Sequence, residues 1–339
     1  MPRVECPEHA ILQIDVPWAE PNSGFTALME ALVIDWLKET NTMAVSRRMG
    51  LSWDEVDGIM QRAVRRGLGR RKVEDIRHVG VDETSFQKGH EYVTIVSNQE
   101  GSGVLHVADG RGQAALDAFW LLLTPPQLAA LESVAMDMSA AYIRSTREHV
   151  PGAESKIAFD RFHVAGAINK AVNEVRKQEH RELTAEGDPT LNRTKYIWLK
   201  NPENHTETQA AMFELLKELG LKVARAWAIK ETARGLWNFA TRGWARRAWM
   251  KWISWATRCR LEPMRRVARM VKGHLWGILN AIVLGVTNAG AESLNAKVQR
   301  IKKNACGFRN RERFKNAIYF HCGNLDLYPA SLRATHTTS

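Results

Sequence analysis

Alternating apolar and polar residues between positions 78 and 97 predict two β-strands joined by a short polar turn. We expect the first strand to end at Asp82 and Glu83, residues 87–90 to form the turn, and the second strand to alternate up to Val96. A carboxylate that closes an apolar strand is fixed by the sheet and still reaches solvent, which suits a divalent cation on oxygen ligands. The structural alternative is that Asp82 simply begins a turn.

Strand and helix patterns continue to alternate as far as position 186. The predicted strands are 103–108, 133–138 and 156–159, and the predicted helices are 113–123, 125–131, 140–149 and 164–186. This order predicts an α/β fold class with a mixed sheet, accompanied by all-α parts. Asp137 falls at the end of one of these strands, so we expect Asp82 and Asp137 at strand ends of the same sheet.

The segment 25–73 has helical spacing throughout and predicts a helix-turn-helix domain. A short helix over 43–49 is followed by a turn at Gly50, and Ser52 with Glu55 has the spacing of a capping box. The alternative is a small helical domain with a solvated basic face. Arginines of the second helix suit DNA phosphates, and we assign this role to Arg62, Arg65, Arg66, Arg70 and Arg71.

From 189 to 286 the pattern predicts helices only, rich in tryptophan and arginine. Between Arg225 and Gly273 there are 13 Lys and Arg against two Glu, a local net charge of +11 that equals the net charge of the whole chain. We expect this surface to bind DNA through Arg246, Arg247 and Lys251. Helical spacing favours core packing for most tryptophans, including Trp237, Trp244, Trp252 and Trp255, and stacking on unpaired bases for a minority.

The net charge of +11 predicts a polyanionic partner, with nucleic acid first. The four cysteines are scattered, which favours a reducing compartment, and charged residues at the start break any apolar leader. We therefore expect a soluble, cytoplasmic protein. Cys6 and His9 are half of a zinc site, and we interpret residues 1–24 as an ordinary loop or the remnant of a zinc finger.

Near the end of the chain we expect Asn288 to cap a helix over 289–304 that carries Glu292 in its first turn. Three carboxylates, Asp82, Asp137 and Glu292, can hold two Mg²⁺ ions about 3.5–4 Å apart, with Mn²⁺ as a substitute. Basic residues follow, and we assign DNA contact to Lys297, Arg300, Lys302, Lys303 and Arg309.

Four segments carry a family resemblance: GVDETSFQKGHEYVTIV (80–96), MDMSAAYI (136–143), PGAESKIAFDRFHV (151–164) and the block from Thr287 to Gly323. With them, the chain resembles the DDE transposases of bacterial insertion sequences, specifically the ISL-three (ISL3) family. The resemblance implies an RNase H-like catalytic domain with a helical insertion, and Asp82, Asp137 and Glu292 as the catalytic, metal-binding triad. It also implies water-driven cleavage at transposon ends and joining of the freed 3′-hydroxyl to target DNA.

The same resemblance implies double-stranded DNA as partner, both terminal repeats and target, and a homodimer or larger synaptic complex. Three positions depart from the family pattern: the finger segment is incomplete, Gln299 replaces a basic residue, and Cys306 replaces an aromatic one. Asp160 competes with Asp137 as the second acid, and we prefer Asp137. The predicted domains are 1–24, 25–73, 74–188, 189–286, 287–325 and a tail at 326–339.

Two other functions remain open at the level of sequence. The chain could be a DNA-binding regulator derived from a transposase, truncated or without cutting activity. It could also be an RNase H-like nuclease that cleaves without strand transfer. Metal-dependent cleavage separates the enzymes from the regulator, and joined products separate the transposase from the nuclease.

Overall fold

The structure is a computed structural model and describes residues 3–13, 16–20, 23–72, 76–87, 91–101, 103–286 and 289–335. The strands are β1 (Arg3–Cys6), β2 (Ala10–Gln13), β3 (His78–Gln87), β4 (Glu91–Asn98), β5 (Val104–Asp109), β6 (Ser133–Met136) and β7 (Ile157–Phe159). The first helices are α1 (Ala27–Glu39), α2 (Thr42–Met49), α3 (Trp53–Arg70), α4 (Gln113–Trp120), α5 (Pro125–Ala130), α6 (Ala140–His149), α7 (Ala153–Lys156) and α8 (Arg161–Ala185). The later helices are α9 (Lys195–Leu199), α10 (Glu207–Glu218), α11 (Lys222–Gly235), α12 (Arg242–Arg258), α13 (Glu262–Gly273), α14 (Leu275–Leu284), α15 (Ala289–Asn304) and α16 (Arg311–Cys322).

The chain divides into two compact units. The first contains Met1–Ala130 and Ala289–Ser339, and the second contains Leu131–Asn288. The first unit therefore combines the N-terminal helices with the last two helices of the chain. The second unit begins inside the segment 74–188, which the sequence predicts as one part of the catalytic core.

In the first unit, α2 and α3 form the expected helix-turn-helix. Gly50 has φ 64°, a left-handed conformation that ends α2 without steric strain. Ser52 and Glu55 form the predicted capping box at the start of α3. The core of this region joins α1, α2 and α3 to α16, which contributes Ala317 and Phe320.

The last helices also pack on the three antiparallel strands of the first unit, whose order is β5-β4-β3. Phe314 and Ile318 of α16 lie in a second apolar cluster with Val93 and Ile95 of β4. The Tyr319 hydroxyl accepts a hydrogen bond from the backbone N–H of Val107 at 2.8 Å, and burial raises the pKa of this phenol. One helix thus connects the helix-turn-helix to the strands.

The second unit contains a parallel pair, β6 and β7, in which Met136 is opposite Phe159. From Pro189 to Val286 the chain is helical without strands, as predicted. The side chain of Phe159 packs so closely on α14 that a Cβ added at Gly277 would lie 2.5 Å from two of its ring carbons. Both antiparallel and parallel strand pairs are therefore present, as a mixed α/β class requires.

Two sequence predictions about α8 and the tryptophans are corrected by the structure. Helix α8 begins at Arg161 and not at Val164, because Asp160 acts as its N-cap and accepts a hydrogen bond from the Phe162 N–H at 3.0 Å. Trp252 is buried as expected, but Trp244 is 61% exposed and Trp255 39% exposed.

Within the described residues, no single helix is long and apolar enough to span a membrane. Helices α13 and α14 pass such a test only together, and a bend of 67° separates them.

Candidate active site and nucleic-acid interface

Asp82 lies in the middle of β3 and not at its end, so the first prediction about this residue is wrong in its local structure. The strand continues to Gln87 because β4 pairs with it along its length, with Asp82 opposite Ile95 and Ser85 opposite Tyr92. The carboxylate of Asp82 is half-buried, and its Oδ1 accepts a hydrogen bond from the Glu83 N–H at 2.7 Å. Of the predicted turn at residues 87–90, Gln87 belongs to β3 and pairs with Glu91, and residues 88–90 lie outside the described residues.

Helix α15 packs along this strand and makes a polar contact with it at each successive turn. The Asn295 amide donates to Asp82 Oδ2, although the two residues are 213 positions apart in the chain. One turn later, Gln299 Nε2 donates to Thr84 Oγ1 at 2.8 Å. These contacts follow the i, i+4 spacing that places residues on one helix face.

The third contact of this series is made by Lys302, whose ammonium donates to the Ser85 carbonyl at 2.8 Å. Leu294 and Val298 of the same helix are buried against the strands. Apolar and polar contacts together fix which face of α15 meets β3. The register of this helix against the Asp82 strand is therefore well determined.

Glu292 belongs to α15, three positions before Asn295, and the helix spans the predicted residues 289–304. Its side chain lies outside the described residues, as does the predicted cap Asn288. What the structure establishes is that the helix carrying Glu292 is bonded to Asp82 through the next helical turn.

Asp137 directly follows β6, as predicted, in the second unit. Its Oδ1 accepts a hydrogen bond from the Ser139 N–H at 2.9 Å, and the side chain is half-buried. Asp160 follows β7 in the same way, so the parallel pairing of Met136 with Phe159 leaves the two aspartates at the same end of neighbouring strands. Asp160 is 6% exposed and caps α8, whereas Asp137 is more accessible.

The chemistry of these donors suits a hard cation. Asp82 and Asp137 present carboxylate oxygens that backbone N–H groups orient, and such ligands match Mg²⁺ or Mn²⁺. Among the side chains that the structure describes, no group of three or more His, Cys, Asp or Glu is close enough to hold a metal ion. Because the Glu292 side chain is not among them, the complete triad stays a prediction.

Four of the five arginines assigned to DNA in the helix-turn-helix contact protein groups in the structure. Arg62 and Arg66 both form ion pairs with Glu30, which is 1% exposed, at 2.7 and 2.9 Å. Arg66 also pairs with Glu20 at 3.0 Å. We call these four residues the buried arginine cluster. It gives Arg62 and Arg66 a structural role that the sequence pattern does not indicate.

Arg70 and Arg71 lie at the end of α3 and attach it to the rest of the unit. Arg70 donates to the Tyr328 carbonyl at 2.6 Å, and Arg71 donates to the carbonyls of Val104 and Leu105 at 3.0 and 2.6 Å. Arg65, by contrast, is exposed, and no protein partner is found for it within the described chain. Arg65 therefore remains the best candidate for a DNA contact on α3.

A groove of about 1100 Å³ lies between the helix-turn-helix and the α15–α16 hairpin. Among the lining residues, the Asn41 amide donates to the Asn304 carbonyl at 3.2 Å. The cations that line the groove are Lys38, Arg47, Lys297, Arg300, Arg309 and Arg313. Three of the C-terminal residues assigned to DNA line this groove: Lys297, Arg300 and Arg309. Lys303 is exposed elsewhere on α15, and Lys302 is bonded to β3.

In the second unit, Arg246, Arg247 and Lys251 are all exposed on α12, as the prediction requires. The sequence reasoning missed Asn295 and Arg47. Asn295 could have been found from its helical spacing to Glu292, and Arg47 from its place on α2, next to the turn of the helix-turn-helix. The Cys6 thiol and the His9 ring lie 3.5 Å apart at the β1–β2 turn, and the part of the chain with described side chains adds no third ligand.

A helix-turn-helix with a basic groove, bonded to a strand and a helix that bear acidic residues, defines a class of DNA-processing proteins. Residues 79–318, which are 240 of the 339, match the ISL3-type DDE family described as transposase. Residues 14–64 match the helix-turn-helix domain of transposase family ISL3. The chain belongs to the ISL3 family of DDE transposases, which confirms the resemblance and the functional class.

Two relatives support this assignment. The transposase for insertion sequence element IS1001 of Bordetella parapertussis is 27% identical over 281 residues, which cover 82% of this chain and 69% of the relative. The transposase for insertion sequence element IS1557 of Mycobacterium tuberculosis is 28% identical over 335 residues, which cover 91% of this chain and 74% of the relative.

Proposed function

We propose that this protein binds the ends of an insertion sequence, cleaves DNA there and joins the freed 3′-hydroxyl to target DNA, with Asp82, Asp137 and Glu292 holding two Mg²⁺ ions. The observation that carries the proposal is the contact between α15 and β3. Asn295, one turn after Glu292, donates to the Asp82 carboxylate. Helix packing therefore supports a site that combines carboxylates from opposite ends of the chain.

We propose an RNase H-like arrangement for the catalytic part. The antiparallel order β5-β4-β3 and the parallel pair β6–β7 are the strand pairings that such a mixed sheet needs. The helices from 189 to 286 would be an insertion between Asp137 and Glu292. The proposal prefers Asp137 to Asp160, since the cap interaction and burial of Asp160 already give it a structural role.

Bound Mg²⁺ would neutralise charge on the attacking and leaving oxygens of the phosphodiester. The protein's own contribution is to orient its ligands. The Glu83 N–H and the Asn295 amide each bond one oxygen of Asp82, and the Ser139 N–H bonds Asp137. Ligands fixed in this way lose little conformational freedom when a cation binds.

Double-stranded DNA is the proposed substrate and target. Arg47, Lys297, Arg300 and Arg309 line the groove beside the helix-turn-helix, and Arg65 is exposed on α3, so these cations are available to phosphates. Two DNA ends must be joined to one target, and for this we propose a dimer or larger synaptic complex in the nucleoid.

The decisive experiment uses a labelled duplex that carries the element's own terminal repeat, with and without Mg²⁺. We expect nicks at the repeat boundary and joined products from the wild type. Asp82→Asn, Asp137→Asn and Glu292→Gln should each abolish both products while duplex binding persists. Glu218→Gln, at an exposed acid on α10, is the matched control and should retain full activity.

Each alternative outcome has a defined meaning. Full activity of any triad variant removes that residue from the site. Nicks without joined products favour a nuclease, and tight binding without nicks favours a regulator. Full activity of Asp137→Asn together with loss of activity in a folded Asp160→Asn variant would transfer the second acid to Asp160.

A further inference from the structure

Helix α12 exposes two tryptophans although the same helix buries two others. Trp249 and Trp252 are fully buried in the second unit, and the Trp252 indole donates to the Ile229 carbonyl at 2.8 Å. Trp244 is 61% exposed and Trp255 is 39% exposed. Core packing accounts for the first pair and does not account for the second.

The exposed tryptophans lie on a single stripe of the helix. Trp244 and Trp255 are 11 positions apart, which is close to three full turns and about 16 Å along the axis. Arg247, Lys251 and Arg258 fall within about 60° of the same line. We call Trp244, Arg247, Lys251, Trp255 and Arg258 the α12 stripe.

The charge of this stripe is not neutralised by the described part of the protein. Helix α12 contains no Asp or Glu, and no ion pair to Arg247, Lys251 or Arg258 is found among the described residues. The neighbouring helix α13 behaves differently, since its Arg266 and Arg269 pair with Glu174 and Glu262, each at 2.6 Å. The α12 stripe therefore keeps its positive charge for an external anion.

The aromatic rings and the cations of the stripe also lie side by side. The guanidinium carbon of Arg247 is 5.1 Å from the Trp244 ring centroid. An indole face suits the face of an unpaired base, and a cation beside it suits the phosphate that precedes or follows that base. A fully paired duplex hides its base faces and could use only the cations.

We propose that the α12 stripe binds an unpaired stretch of one DNA strand, with bases stacked on Trp244 and Trp255 and phosphates bound by Arg247, Lys251 and Arg258. At a spacing of 3.4 Å per nucleotide, about 16 Å accommodates roughly five nucleotides. The inference rests on the proposed function, because cleavage at an element end is the step that releases such a strand. An acidic protein partner would use the cations and would not require nucleotide bases.

The test compares two labelled duplexes of equal length, one blunt and one with a six-nucleotide single-stranded tail that carries 2-aminopurine. Binding is measured by anisotropy, and stacking by quenching of 2-aminopurine. The wild type should prefer the tailed duplex and quench its fluorescence. Trp244→Ala and Trp255→Ala should each weaken tailed binding about 5- to 150-fold, the range for loss of one stacked base, and leave blunt binding within twofold.

The control variants distinguish loss of base stacking from loss of folding or a nonspecific change in α12. Met250→Ala removes an exposed side chain of α12 that lies off the stripe, and it should change neither affinity nor quenching. Trp244→Phe keeps an aromatic face and should restore most of the preference. Because Trp244 is largely exposed, thermal unfolding of its variants should match the wild type.

Equal wild-type affinity for both duplexes would overturn the inference, and so would equal losses on both duplexes in the tryptophan variants. Neither result bears on triad-dependent cleavage, which is measured on the terminal-repeat duplex. Conversely, the wild type could bind the tailed duplex as expected and fail to cleave the terminal-repeat duplex at the repeat boundary. That result would refute the proposed function and leave the base-stacking surface in place.

Discussion

Replacement of Asn295 by alanine tests the contact between α15 and β3 most directly. The amide donates to Asp82 Oδ2, and the other oxygen of that carboxylate is bonded to the Glu83 N–H. Alanine removes one donor from a charged acceptor and leaves the helix intact, because alanine is the best helix former. The Asp82 carboxylate then keeps its position on β3 but loses one of the two hydrogen bonds that fix its orientation.

The size of the effect follows from two independent estimates. A hydrogen bond to a charged group contributes about 1.5–3 kcal/mol. Loss of a partner that orients a metal ligand costs about 10–100-fold in metal affinity or activity, which is about 1.4–2.7 kcal/mol. The two ranges agree, so we expect the half-saturating Mg²⁺ concentration for cleavage to rise about 10–100-fold in Asn295→Ala.

The assay is a Mg²⁺ titration of the cleavage rate on the terminal-repeat duplex, with duplex affinity measured in parallel. If Asn295 only orients Asp82, the rate of the variant recovers at saturating Mg²⁺ and duplex affinity does not change. Gln299→Ala is the matched control. It removes the next contact of the same helix, to the neutral hydroxyl of Thr84, and should leave the Mg²⁺ requirement unchanged.

An unchanged Mg²⁺ requirement in Asn295→Ala would refute the reasoning. An equal shift in Gln299→Ala would also refute it, because the effect would then come from general loosening of α15. A rate that stays low at saturating Mg²⁺ would mean that Asn295 contributes to the reaction beyond orienting the ligand.

Three further predictions concern stability and DNA contact. Arg66→Ala should lower the free energy of unfolding by about 1–3 kcal/mol, because it removes one of the two guanidinium groups that pair with the buried Glu30 carboxylate while Arg62 stays in place. Arg65→Ala should change the free energy of unfolding by less than about 0.5 kcal/mol and should weaken duplex binding. Denaturant melts and salt titrations measure the two effects. Gly277→Ala should lower the free energy of unfolding by about 1–3 kcal/mol, because the new Cβ would lie 2.5 Å from the buried Phe159 ring. Gly166→Ala meets no atom within 4 Å and should raise the free energy of unfolding by about 0.4–1 kcal/mol. Equal melting temperatures of the two variants would contradict the packing at Gly277. Burial and nearby cations lower the pKa of His106 from its ordinary value of 6.5, so the unfolded chain binds a proton at this residue more readily than the folded chain does. The free energy of unfolding, measured by denaturant melts, should therefore fall as the pH drops below about 6.5. It should fall less steeply in His106→Gln.

Helix positions were predictable from sequence where local signals determine them. The bounds of α6 and α15 agree with the predicted 140–149 and 289–304, and the capping box of Ser52 and Glu55 begins α3 as expected. These signals involve residues within one or two turns of each other. No distant partner is needed to interpret them.

The end of β3 was not predictable in the same way. Asp82, Glu83, Thr84 and Ser85 have the composition of a turn, yet pairing with β4 keeps all four in the strand. Thr84 is buried and receives the Gln299 hydrogen bond from α15. Contacts with remote residues decide such a segment, and its own sequence does not contain them.

The same reason explains the arginines and tryptophans. Nothing near Arg62 or Arg66 in the sequence indicates that Glu30 will pair with both. On α12, tryptophans occur on more than one side of the helix, so spacing alone cannot tell which side packs against α11 and its neighbours. Tertiary structure decides which of these side chains the protein itself uses, and the DNA-binding role of the exposed ones stays a prediction.

Helix α15 packs against the strands and also holds the Asp82 carboxylate, and each of these roles constrains the other. Its apolar residues Leu294 and Val298 pack on the strands, while Asn295, Gln299 and Lys302 bond β3 one turn after another. At its C-terminal end, the Asn304 carbonyl accepts a hydrogen bond from the helix-turn-helix. A sliding of α15 by one residue would break every one of these bonds together, because a single helical register satisfies them all. The position of Glu292 along β3 is thus set by the whole helix, so substitutions far from the acids, such as at Val298, should impair catalysis through the register of α15.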